Sequence, residues 1–367
     1  MLYLSGVFLA FFLTFLLVTK REKSIADFIL SAWLFAIGLN LTGHYLLLME
    51  QYTQYPTLVF LGFTLPLVYG PFLYLYIQKQ TSAQQFSWKY MLHFVPFLVC
   101  NFLFLPFYIS SFSEKVDIFQ HQGRGFETEM LLRVYSIYIS GIVYVVLSFW
   151  RLYRFRKNMV QQFSNTEKIN FNWLLYLIIW IALIWGLVLF VNTDIIYGAI
   201  AVFIVWLGYF GIKQVQVFNQ PVLAFTGSTT LEFPVTEETE TASPEKKYQK
   251  SGLTDENTEA IHTRLMNLLD EEKPFINPNL TLNELAGMLN VHPNSLSQVI
   301  NSKENKNFYE LINEKRIEEF LNRISQPESR QYTLLSIAFE CGFNSKTSFN
   351  RNFKKYTGVT PSEYQKS

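Results

Sequence analysis

Charge is scarce in this 367-residue chain: 16% of its residues are Asp, Glu, Lys or Arg, while half are hydrophobic and 17% aromatic. That balance is too apolar for an ordinary soluble protein. Cysteine is scarcer still. Cys100 and Cys341 are the two present, far apart and in different surroundings, which supports neither a disulfide framework nor a cysteine metal site. The first 212 residues lack a glycine-rich phosphate loop, a His-Glu-x-x-His spacing and a nucleophile motif. No catalytic residue, cofactor or metal is expected, and the chain reads as a non-enzyme.

The apolar residues are unevenly placed. Seven runs, roughly 1–18, 27–48, 56–77, 90–110, 130–150, 171–191 and 195–212, come near the ~20 residues that cross a bilayer as a helix. The pattern predicts an all-α chain in three parts: a polytopic bundle of about seven spans over 1–212, a flexible acidic linker over 213–253, and a soluble helical domain over 254–367. The first run has no basic n-region and no small-residue cleavage site, so it reads as a retained span with its N-terminus outside. Lys20, Arg21, Lys23, Lys79, Lys89, Arg151, Arg154, Arg156, Lys157 and Lys168 fall in alternate loops, and Lys115 and Arg124 in the other set. The richer side is cytoplasmic. This predicts a multi-pass protein of a bacterial inner membrane with its C-terminal domain in the cytoplasm.

An ionisable or strongly polar group within a span is costly and usually faces the bundle interior. Asn40, His44, Asn101, Arg133 and Asp194 are such groups. His44, Asn101, Arg133 and Asp194 form the candidate sensing set for an unknown ligand or membrane partner, and His44, Arg133 and Asp194 fall towards the outer ends of their spans. A charge at a span end also sits comfortably among lipid headgroups. The linker, with Thr236-Glu237-Glu238-Thr239-Glu240, has the composition of a tether whose r.m.s. reach is roughly 35 Å.

The last third reads as packed helices. Thr254 can cap a helix carrying Ile261, Leu265, Leu268 and Leu269. Thr281-x-x-Glu284 is a capping box; Asn290 can take the αL turn, His292 caps the next helix, and Pro293 sits at its first position. Asn307-x-x-Glu310 opens a long helix. Thr333 to Tyr364 repeats the earlier pattern: Leu334, Ile337, Ala338 and Cys341 at helical spacing, Gly342 for a sharp turn, Ser345 as a cap, and Phe349, Phe353 and Tyr356 facing inward. Thr360-Pro361-Ser362-Glu363 is a further capping box. The two patterns predict two helix-turn-helix units held on one long helix, about 34 Å apart on a duplex. After Ser345, Lys346, Arg351, Lys354, Lys355 and Lys366 stand against Glu363 alone, so the second unit carries the positive charge that binds phosphates.

Residues 275–364 resemble the DNA-binding domain of AraC-type transcription regulators. The residues that carry the resemblance are Ile337-Ala338, Gly342-Phe343, Ser345, Phe349, Arg351, Phe353-Lys354-Lys355, Gly358 and Thr360-Pro361 with Tyr364, and more loosely Leu285-Ala286 and Leu296. The resemblance implies binding to double-stranded promoter DNA, with RNA polymerase as a partner. By position it puts base reading on Asn294, Ser297 and Gln298 and on Lys346, Thr347, Asn350 and Arg351. Asn290 departs from the pattern's turn glycine. The functional expectation is a membrane-bound one-component regulator, capable of forming a homodimer and in contact with membrane lipid. A transporter or membrane enzyme with a DNA-binding tail, and an anchored regulator released by cleavage in the linker, are the alternatives.

Overall fold

The computed structural model describes residues 1–82, 87–164, 172–188, 190–213 and 255–365. The chain divides into two compact units, one of Met1–Tyr153 with Phe171–Glu232, the other of Arg154–Asn170 with Phe233–Ser367. Among the described residues the regular structure is helical, apart from a single antiparallel bridge between Phe163 and Thr281. Of the expected 213–253 linker all but Lys213, the last residue of the helix Thr193–Lys213, lies outside the described residues, as does the Thr254 cap.

In the first unit, α1 (Leu2–Thr19) packs along α2 (Ile25–Leu48) and α10 (Thr193–Lys213), and α2 also meets α3 (Pro56–Thr64) and α4 (Pro66–Gln80). The tight turn into α2 is fixed by a reciprocal cap: Ser24 Oγ accepts from the Asp27 amide, and the Asp27 carboxylate accepts from the Ser24 amide at 2.8 Å and from Lys20 Nζ at 2.8 Å. Short helices α5 (Val95–Leu103), α6 (Leu105–Ile109) and α7 (Phe112–Gln120) precede the 36-residue α8 (Glu127–Gln162), and α9 (Asn172–Leu187) packs on α10.

Among the described residues the expected seven spans are corrected to three, or to four if one bent helix pair is counted as a span. Leu2–Thr19, Ile25–Leu48 and Glu127–Gln162 are long and apolar enough to cross a bilayer, and α3 with α4 makes a fourth if the two are one broken span. Proline explains much of the difference. Pro66 has no N–H to donate and its ring crowds the preceding turn, so α3 and α4 meet at a bend of 47°. Pro96 and Pro106 each sit in the first turn of a new helix, which cuts the 90–110 run into pieces of nine and five residues after a 3-10 turn. Helix α9 has 16 residues, about 24 Å of rise, short of a hydrocarbon core of ~30 Å. The apolar part of α10, Thr193–Tyr209, is also below span length.

The second unit holds α11 (Asp255–Glu271), α12 (Leu282–Leu289), α13 (Pro293–Glu304), α14 (Phe308–Ile324), α15 (Leu334–Glu340), α16 (Lys346–Thr357) and α17 (Pro361–Tyr364). Its cores lie along α14. The N-terminal half of α14 supplies Phe308, Leu311 and Ile312 to a cluster with Leu265, Leu285 and Leu296, and the C-terminal half supplies Ile317 and Phe320 to a cluster with Ile337, Phe349 and Phe353. A helix shared in this way joins the two helix pairs into one domain. Helix α14 is 17 residues long, about 26 Å.

Candidate DNA-binding surface

From α12 onward, each helix of the second unit starts where its sequence can satisfy the free amides of a first turn. Thr281, Asn307 and Thr360 make reciprocal capping boxes with Glu284, Glu310 and Glu363. His292 accepts from the Asn294 amide and Ser345 from the Ser348 amide, which sets the starts of α13 and α16. The turns are equally determined. Asn290 ends α12 with φ +53°, and Gly342 follows α15 with φ +95°. A Cβ on Gly342 would strike the carbonyl oxygen of Phe275 and lie 2.8 Å from that of Ile276, so both backbone conformation and close approach require glycine there.

Below this turn lies Arg316, 1% exposed. Its Nε donates to Phe275 O at 2.7 Å and its terminal nitrogens to Asn277 O (2.9 Å), Ser164 O (3.2 Å), Ser164 Oγ (3.1 Å) and Asn313 Oδ1 (3.3 Å). Burial pushes the guanidinium down to about 10, which leaves it charged at neutral pH. Ser164 also donates to Leu280 O through its amide and its hydroxyl, and its carbonyl accepts from Asn313 Nδ2 at 3.0 Å. The segment just beyond α8 is thereby part of the second unit. The sequence reading had placed it in the 1–212 domain. Arg316 lies four residues after Ile312 and four before Phe320, both buried, and that position on the inner face of α14 was the available signal.

Helix α16 divides into two faces. Ser348, Phe349, Asn352 and Phe353 are buried, while Lys346, Thr347, Asn350, Arg351 and Lys354 are exposed. The inward placement expected of Tyr356 is not observed: it is 44% exposed and its hydroxyl lies 3.3 Å from Glu318 Oε1. Lys355 is paired with Glu310 at 2.6 Å, and Lys366 is outside the described residues, so the local positive charge rests on Lys346, Arg351 and Lys354. Arg351 is held in place. Its guanidinium donates to the Tyr309 hydroxyl at 2.5 Å, the same hydroxyl accepts from Asn352 Nδ2 at 2.9 Å, and the guanidinium carbon lies 5.7 Å from the Tyr309 ring centroid. Nothing in the sequence marked Tyr309 for this role. On α13, Asn294 is exposed, whereas Ser297 and Gln298 are half-buried and Asn301 Nδ2 donates to the Ser297 carbonyl at 2.8 Å.

The sensing candidates lie in the first unit. His44 is 3% exposed, its ring stacks on Tyr197 at 3.7 Å, and its Nε2 lies 3.3 Å from the Asp194 carboxylate. That contact lacks hydrogen-bond geometry. Asn101 Oδ1 accepts from Tyr108 at 2.8 Å and Thr64 at 3.2 Å. The Arg133 guanidinium lies 5.3 Å from the Phe63 ring, and its buried Nε has no hydrogen-bond partner among the described residues. The structure brings His44 and Asp194 together and shows neither Asn101 nor Arg133 in direct contact with them.

The second unit therefore presents two helices across a glycine turn, with a polar, locally cationic face on the second. Residues 285–367 match the family described as "Helix-turn-helix domain". The chain is 30% identical over 109 residues to YesN of Bacillus subtilis (strain 168), an uncharacterized transcriptional regulatory protein; the match covers 29% of this chain and 28% of that relative's length. No solved structure matches. These findings replace the AraC-type resemblance: the matching family is described simply as a helix-turn-helix domain, and the relative is YesN. They likewise give one such domain where two units were expected, because a single match takes in nearly all of both helix pairs. The protein has an N-terminal helical, largely apolar region and a C-terminal helix-turn-helix domain resembling those of bacterial transcriptional regulators.

Proposed function

We propose that this chain is a membrane-anchored transcription regulator without catalytic activity, whose helix-turn-helix domain binds promoter DNA in a sequence-dependent way on the cytoplasmic side of a multi-pass inner-membrane domain. The observation that carries the reading is the outer face of α16, where Lys346, Thr347, Asn350, Arg351 and Lys354 are exposed opposite a core of Phe349 and Phe353. Arg351 pairs bidentately with guanine, Asn350 reads base edges, and Lys346 and Lys354 bind phosphates. Asn294 adds a contact from α13, with Ser297 and Gln298 in a lesser role. RNA polymerase is the partner through which a promoter-bound regulator changes transcription, and a homodimer would read two half-sites. In this reading the apolar helices contact lipid and receive the signal through His44, Arg133, Asp194 and Asn101.

The test is an anisotropy titration of the full-length protein, in lipid nanodiscs, against duplexes selected from a random pool. Arg351→Ala is expected to weaken binding to the selected duplex by ~1–3 kcal/mol and to relax preference at one base pair. Equal binding of selected and scrambled duplexes by the unsubstituted protein would defeat the reading.

A further inference from the structure

Within the first unit α2, α4, α8, α9 and α10 surround a cavity of about 110 Å³. Its walls are mostly aliphatic and aromatic, with Ile181, Ile184, Ile200 and Phe203 among them and Asn40 and Thr193 as polar members, and among the described residues no lining side chain carries a charge. An ionised ligand would leave water for a surface without a counter-charge, so the occupant is neutral. A dry cavity of comparable size, on the order of 150 Å³ and lined by aliphatic and aromatic groups, accepts a benzene ring. The space here suits one ring or a short branched chain.

Two buried residues of this wall carry a hydrogen-bond donor that is unused among the described residues. Trp33 is 1% exposed, and its indole Nε1 has no hydrogen-bond partner among the described residues. Tyr197 is 9% exposed and its oxygen accepts from Asn40 Nδ2 at 3.0 Å; among the described residues nothing accepts its own proton. Asn40 offers no competing donor, since its amide nitrogen already serves Gly62 O at 2.6 Å and Tyr197, and its oxygen accepts from Tyr69 at 2.8 Å. A buried donor left without an acceptor is costly. A ligand oxygen would remove that cost at either group.

We propose that this cavity is a binding site for a neutral, largely apolar molecule of about six to eight heavy atoms carrying one acceptor oxygen, the class of a cyclic or aromatic ketone. The proposal deepens the sensing part of the proposed function and rests on it for the ligand's regulatory meaning. Occupancy would act on the ring system that joins the cavity to His44, because Tyr197 lines the one and stacks on the other.

The test uses full-length protein in phosphatidylethanolamine and phosphatidylglycerol nanodiscs, with the thermal unfolding midpoint followed against added cyclohexanone. Methylcyclohexane, equal in heavy atoms and without the oxygen, is the control. The expected result is a saturable rise in the midpoint, with cyclohexanone acting at ~10-fold lower concentration than methylcyclohexane. Trp33→Phe combined with Tyr197→Phe, which deletes both donors, should remove most of that preference. Ile184→Trp and, independently, Ile200→Phe fill the space and should abolish the response. An unsaturable response, equal potency of the two compounds, or a response that survives in both filled variants overturns the site. A promoter titration on the same preparation separates the two readings: saturable binding that leaves DNA affinity unchanged sinks the sensing role and keeps the site, whereas absent binding sinks the site alone.

Discussion

Arg316 donates to both the carbonyl and the hydroxyl of Ser164, at 3.2 and 3.1 Å, across 152 positions of sequence. The guanidinium has a further acceptor at each of Phe275, Asn277 and Asn313. Arg316→Met would leave several buried carbonyls unmatched at once, and should cost the second unit about 3 kcal/mol. Ser164→Ala removes only the hydroxyl and should cost about 1 kcal/mol. Urea denaturation of the full-length protein, followed by exchange of amide protons in residues 274–324, measures both. Equal effects of the two substitutions would mean that the Ser164 hydroxyl, and not the arginine network, carries the stabilisation.

Gly342→Ala meets two penalties together, the positive φ of +95° and the approach to Phe275 O. A loss of at least ~2 kcal/mol is expected, together with loss of DNA binding, because the turn sets the angle between α15 and α16. A melting midpoint within a degree of the unsubstituted protein would show that the turn relaxes.

Tyr309→Phe deletes the oxygen shared by Arg351 and Asn352. Arg351 then has more freedom before DNA arrives, so affinity for the selected duplex should fall by about 1 kcal/mol, less than for Arg351→Ala. Lys346→Ala and Lys354→Ala should each lower the slope of log affinity against log salt by about one, without altering base preference.

Acid should weaken the second unit through Glu319. Burial raises the affinity of this carboxyl for its proton, but hydrogen bonds from Lys273 (2.7 Å) and Arg323 (2.8 Å) outweigh it and hold the carboxyl below its ordinary value of 4.5. A depressed acid contributes stability that is present above the unfolded-state value and is lost as pH falls through the folded-state value. Stability attributable to Glu319 should therefore hold down to about pH 4.5 and decline below it. The difference in unfolding midpoint between Glu319→Gln and the unsubstituted protein should shrink over that same window.

Cys341 is buried, and burial raises its thiol to about 12. A thiolate is the reacting form, so iodoacetamide at pH 8 should leave Cys341 unmodified in the folded protein and modify it in urea. Peptide mass spectrometry reads the difference, and rapid native modification would place the thiol at the surface.

What was legible in the sequence followed from local chemistry. The capping residues Thr281, Asn307, Ser345 and Thr360, the positive φ of Asn290 and Gly342, and the inward Phe349 and Phe353 were all assigned from spacing, because each depends on neighbours within four residues. Span counting failed for a related reason. Mean apolarity over 20 residues says nothing of where Pro66, Pro96 and Pro106 interrupt hydrogen bonding, and those interruptions decide helix length. Tyr309, Trp33 and Ser164 act through partners 42 or more positions away, or line a cavity built from five helices. No local pattern encodes such meetings.

The two units alternate along the chain, with Arg154–Asn170 belonging to the same unit as Phe233–Ser367. Severing the backbone anywhere between 214 and 254 would therefore not free the helix-turn-helix domain as an independent fragment. The downstream piece would still be held by the Ser164 hydrogen bonds to Leu280, Asn313 and Arg316, in the manner of a split protein whose halves stay associated. A protease acting in that stretch would nick the molecule without releasing its helix-turn-helix domain from the segment that follows α8, and both pieces should migrate together until urea separates them.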